Sequence, residues 1–173
     1  MIMRPGQQQL LLPVSPLFMW GTLVLALLID MVPLGRLAWT PDVLALAIVF
    51  WSVHQPARIG MGVAFVFGLC MDVHQSALLG QHALSYTTLG YFATTLHRRL
   101  LWFPVFSQAL QLLPLFALSH LIELAIRMLG GGLFTGWGLL IAPAIEAALW
   151  PLASVLLLAP QRRTPEPDAN RPL

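Results

Sequence analysis

Residues 41–91 read PDVLALAIVFWSVHQPARIGMGVAFVFGLCMDVHQSALLGQHALSYTTLGY. A Pro-Asp pair opens an apolar run that ends near Val53, and a turn around Arg58 leads into a second apolar run, from Gly60 to about Val73. Gly60, Ala64, Gly68 and Asp72 recur every four residues in that second run, so they share one helix face. Small side chains at this spacing let two backbones approach closely, as helices do in a membrane. Leu79-Gly80 then breaks the chain before a third helical stretch that contains Ser85, Thr87, Thr88 and Tyr91.

Working outward, the composition fixes the solvent. Apolar residues make up 58% of the 173 and charged residues only 9%, with a mean hydropathy of +0.78. That leaves too little polar surface to coat a water-soluble globule, so the fold expected is an all-α membrane bundle. The N-terminal apolar stretch runs into Asp30 without a small-residue cleavage site, which predicts a retained first span rather than a signal peptide. The basic residues are all arginine, and the formal charge of +2 is too small and too scattered for a nucleic-acid footprint. Cys70 is the one cysteine, so it forms no internal disulfide and is expected as a small buried hydrophobe.

Six spans are expected in a transmembrane domain over 17–159: Leu17–Val32, Asp42–Val53, Gly60–Val73, His82–His97, Pro104–Met128 and Trp137–Ala159. Residues 1–16, rich in proline and glutamine, form a lead-in, and 160–173 form a disordered tail. Pro41 is expected in the first turn of span two, with Asp42 at the positive end of its dipole. Spans two and three cover only about 20 Å at 1.5 Å per residue, less than the hydrocarbon thickness of about 30 Å. They therefore either extend, span two through Leu37 and Trp39, or form a hairpin buried among longer helices. With both termini cytoplasmic, Arg4, Arg58, Arg98, Arg99, Arg162, Arg163 and Arg171 lie inside while Arg36 and Arg127 face out, the asymmetry that the positive-inside rule requires. Trp20, Trp39, Trp51, Trp102, Trp137 and Trp150 fall mostly near span ends, as an aromatic belt would.

Chemistry is sparse. Asp72 sits toward the outer end of its span, where it could cap the next helix, meet a partner or line a small cavity. Span six repeats the four-residue device with Gly138, Ala142 and Glu146, and so deep a carboxylate should face the bundle. Glu123 and Arg127 have the spacing and order of a helix ion pair. Asp30 lies within a turn of its span end and can reach the interface. The histidines show no His-x3-His spacing, and no phosphate loop or nucleophile elbow occurs; an approach of Asp72, His74 and His82 is the one metal arrangement open. No catalytic residue, cofactor or metal is expected.

The central block resembles the rod shape-determining MreD family of bacteria. The resemblance is carried by Pro41-Asp42, the apolar run to Trp51, Pro56, Gly62, Gly68-Leu69, Asp72, Leu79-Gly80, Ala83-Leu84 and Tyr91. It implies a non-enzymatic adaptor of the cell-elongation machinery in the bacterial inner membrane, which binds MreC and helps keep the rod shape. Through MreC it would be coupled to MreB filaments, to RodA and to a penicillin-binding transpeptidase. The family is also similar in fold to the substrate-binding subunit of energy-coupling-factor transporters. The candidate structural or partner-binding residues are Pro41, Asp42, Trp51, Gly60, Gly62, Ala64, Gly68, Asp72, Gly80, Tyr91 and Glu146. A small-molecule binding or transport subunit, with Asp72, His74 and Glu146 around a cavity, is the competing reading.

Overall fold

A computed structural model describes residues 14–32, 40–132, 136, 138 and 141–161. Among the described residues six α-helices follow one another: α1 (Pro16–Met31), α2 (Val43–His54), α3 (Met61–Gln75), α4 (Gln81–Leu101), α5 (Val105–Leu129) and α6 (Ile141–Leu158), the last followed by a 3-10 turn, Ala159–Gln161. There is no strand among the described residues. The expected lead-in up to residue 13, the tail from 162, and Trp39, Trp137, Arg4, Arg36, Arg162, Arg163 and Arg171 lie outside the described residues.

The helix starts are set by local sequence. Ser15 caps α1, its hydroxyl accepting the Phe18 amide at 3.1 Å, and Pro16 takes the first helical position. For α2 the expectation shifts by one position. Asp42 is the cap, Pro41 precedes it, and the helix proper begins at Val43.

The polar contacts fix how the helices run. Asp30 at the end of α1 meets the start of α2, while Trp51 near the end of α2 bonds Thr22 in mid-α1. Asp72 at the end of α3 meets the start of α4. Ser85 near that start pairs with Ser119 in the second half of α5. Trp150 in α6 reaches back to Gln108 near the beginning of α5. Successive helices are therefore antiparallel. One end of the bundle gathers the end of α1 and the starts of α2, α4 and α6. The other gathers the α2–α3 turn with Arg58 and the end of α4 with Arg98 and Arg99.

α2 is the axis of the bundle, with Leu44 to Val53 buried without a break. At 12 residues it is about 18 Å long. Span two does not extend, because Thr40, Pro41 and Asp42 are not helical, and it is buried among longer helices. The expected buried hairpin with span three is not formed, since α3 packs against α4 and exposes Met61, Phe65, Val66 and Val73. A helix apolar on every side belongs inside a bundle. α5, and α6 with its 3-10 turn, are long and apolar enough to cross a membrane. The rim is apolar as well: Leu17, Leu25 and Leu28 on α1, Val66 and Val73 on α3, and Phe106 and Leu110 on α5 all point outward.

Two of the four described tryptophans depart from the belt. Trp51 and Trp150 are fully buried, and each indole N–H finds an acceptor, Thr22 Oγ1 at 2.9 Å and Gln108 Oε1 at 3.0 Å. An indole placed on an inward face is held there by its area and its one satisfied donor. Cys70 is exposed on α3, contrary to the expectation of burial.

Candidate functional site: a carboxylate clasp at one end of the bundle

The first turn of a helix leaves amide donors that its own carbonyls cannot reach, and an apolar setting offers no water to accept them. At the start of α2 every one of these donors is met by a carboxylate. The Asp42 N–H donates to Glu146 Oε1 of α6 at 2.9 Å. Val43 and Leu44 donate to the two oxygens of Asp30 from α1, at 3.2 and 2.6 Å. Ala45 donates to the cap, Asp42 Oδ1, at 2.7 Å. The other Asp42 oxygen accepts the Tyr86 hydroxyl of α4 at 2.5 Å. Three carboxylates from three segments thus converge on one helix start, where the dipole favours negative charge.

The start of α4 repeats the arrangement with one side chain. Gly80 takes the left-handed φ of +102° that lets the chain turn into the helix. Asp72 is wholly buried and accepts from the amides of Gly80 (2.8 Å), His82 (2.7 Å) and Ala83 (3.4 Å), while His82 Nδ1 lies 2.8 Å from its Oδ1. Of the three roles open to Asp72, capping the following helix is the one observed.

A chain of side chains joins α4, α5 and α6. His120 Nε2 is 2.8 Å from Glu146 Oε1, and its Nδ1 is 3.9 Å from Glu123 Oε2. Glu123 Oε1 accepts from Ser85 Oγ at 2.8 Å, which in turn pairs with Ser119 Oγ at 2.6 Å. Glu123 therefore turns into the bundle toward Ser85 and His120, instead of forming the expected pair with Arg127. Asp30 likewise turns inward onto α2 rather than out to the interface. All five carboxylates among the described residues lie at this end.

The four-residue stripe on α3 is a packing face. A Cβ added to Gly68 would sit 2.4 Å from Ala83 Cα and 2.7 Å from His82 C, so α3 and α4 touch backbone to backbone there. One turn lower the Ala64 Cβ is 3.3 Å from where a Gly90 Cβ would stand, and Gly60 lies against the same glycine. Gly62 and Tyr91 take no part in this contact: Gly62 faces open space, and Tyr91 is exposed with its ring edge-on to Phe92.

Of the sequence candidates, Asp42, Asp72 and Glu146 lie in the clasp with Gly80 at the turn into α4, and Gly60, Ala64 and Gly68 lie in the packing face; Asp30, His82, Ser85, Tyr86, Ser119, His120 and Glu123 of the clasp were not among the candidates. Helical spacing was the available signal, since 82, 85 and 86 share one face and 119, 120 and 123 another. Of the approach left open for Asp72, His74 and His82, only the pair Asp72 and His82 meets, and His74 is exposed. Among the described residues no three histidine, cysteine or acidic side chains are placed to hold a metal ion.

Comparison with known proteins bears on this architecture. The family model described as rod shape-determining protein MreD matches residues 8–159. A curated relative, the rod shape-determining protein MreD of Haemophilus influenzae, is 25% identical over 135 residues, covering 76% of this chain and 81% of the relative. No solved structure matches the chain.

Proposed function

The chain belongs to the rod shape-determining MreD family, a membership that carries a role in rod-shape determination, and we propose that it plays this role as a non-enzymatic, six-span adaptor of the inner membrane. Its partner is MreC, and through MreC it organises lateral peptidoglycan synthesis with MreB, RodA and a transpeptidase. In this reading both termini are cytoplasmic, the end with Arg58, Arg98 and Arg99 faces the cytoplasm, and the carboxylate clasp faces the periplasm.

The observation that carries the reading is the clasp. It ties α1, α2, α4, α5 and α6 together at one end through buried and half-buried polar groups, so these helix ends are held in one arrangement against which a periplasmic domain can rest at little ordering cost. Exposed apolar faces on α1 and α3 offer sites for a single partner span. The transport reading needs Asp72 and Glu146 around a common ligand, whereas Asp72 holds the start of α4 and Glu146 the start of α2.

Replacing the MreD of a rod-shaped bacterium with this chain tests the proposal. Restored cell width is expected from the wild-type chain and lost width control from a variant with Asp72→Ala that still reaches the membrane. Normal rods with that variant would contradict the role given to the clasp.

A further inference from the structure

At the end of the bundle opposite the clasp, α4 finishes with Arg98-Arg99 and turns through Trp102-Phe103 into α5. These four residues line an open groove of about 430 Å³. We infer that this groove is a binding site for one anionic phospholipid, with Arg98 and Arg99 on the headgroup phosphate and the aromatic walls against the glycerol and upper acyl chains.

Charge complementarity identifies the occupant. Both arginines are exposed, and no described carboxylate comes within ion-pair distance of either. Every described carboxylate is drawn to the far end of the molecule. Two adjacent guanidinium groups suit the bidentate geometry of a phosphate, the anion that every phospholipid headgroup carries. The walls then separate a lipid from a free anion. Trp102 is 89% exposed and Phe103 43%, and aromatic rings left so bare are placed for the headgroup layer. Phe106 and Leu110, four apart on one face of α5 and 80% and 73% exposed, form an apolar track along the helix that follows the groove. An acidic protein segment would use the arginines but would leave that track uncovered.

The inference rests on the membrane reading and not on the choice of MreC as partner. Its test uses the full chain in neutral detergent, with dioleoylphosphatidylglycerol, dioleoylphosphatidylcholine or inorganic phosphate added. Retained lipid is counted by native mass spectrometry, and the thermal midpoint is read in parallel. One phosphatidylglycerol should remain bound and raise the midpoint, with phosphatidylcholine and phosphate ineffective. Arg98→Gln with Arg99→Gln should weaken phosphatidylglycerol binding by about tenfold or more, and Trp102→Ala should weaken phosphatidylglycerol binding as well while leaving the arginines in place. Because these side chains are exposed, all variants should keep the wild-type midpoint without lipid. Equal binding of the two lipids, equal protection by phosphate, or undiminished phosphatidylglycerol binding by the arginine variant would each overturn the proposal. Membrane fractionation of the cells before detergent extraction separates these results from failure of the membrane reading, which would place the chain in the soluble fraction.

Discussion

Asp72 sits at the end of one helix and belongs to the next. Its two oxygens serve three amides and an imidazole, and all but the Gly80 amide are buried, so removing the carboxylate leaves buried donors without an acceptor. Asp72→Ala should lower stability by about 3 kcal/mol or more, read as an earlier unfolding midpoint when sodium dodecyl sulfate is titrated into neutral micelles. Glu146 offers a graded comparison. Glu146→Gln keeps an oxygen for the Asp42 amide and for His120 and should fall within about 1 kcal/mol of wild type, whereas Glu146→Ala should lose about 2 kcal/mol or more. Equal losses from both would show that the negative charge, and not the acceptor, holds the start of α2. The inward aim of Glu146 was legible from its depth in an apolar helix, and the cap at Asp42 from the Pro-Asp pair. Asp30 was not, because a carboxylate one turn from a helix end can turn either way, and which way is decided by a helix start that lies beyond the next loop.

At the scale of elements, α3 and α4 show what one stripe of small residues specifies. Gly68→Ala would drive a methyl group into the backbone at Ala83, so the helices must separate, at a cost of about 2 kcal/mol or more. Gly62→Ala, on the same helix but facing open space, should be neutral or stabilising by up to about 1 kcal/mol. The same micelle titration measures both, and similar losses at the two positions would refute the close-packing account. Six helices and their order could be read from the alternation of apolar runs with turn residues, and their limits agree to within a few residues. The depth of α2 could not be settled from its run alone. A short helix apolar on every side is ambiguous between a strained span and a buried core until its neighbours are known, and those neighbours are set by side chains as distant in sequence as Glu146. The indoles of Trp51 and Trp150 were misplaced for the same reason, since nearness to a helix end does not say which face a residue occupies.

For the whole molecule, the described carboxylates all lie in the clasp, buried or half-buried, while Arg58, Arg98 and Arg99 are exposed at the opposite end and Arg127 stays at the clasp end, in the last turn of α5. If the bundle spans the membrane as proposed, Leu79→Cys on the α3–α4 turn, made in a Cys70→Ser background, should react with an impermeant maleimide in intact cells. Arg58→Cys in the same background should react only after lysis. Labelling of both from one side would break the antiparallel six-span topology. The most direct measurement is purification of the tagged chain from its native membrane in mild detergent, with the co-purifying proteins and small molecules identified and quantified by mass spectrometry. The adaptor account predicts stoichiometric recovery of MreC, reduced at least severalfold by Asp72→Ala at equal membrane content; a stoichiometric small molecule without MreC would contradict it.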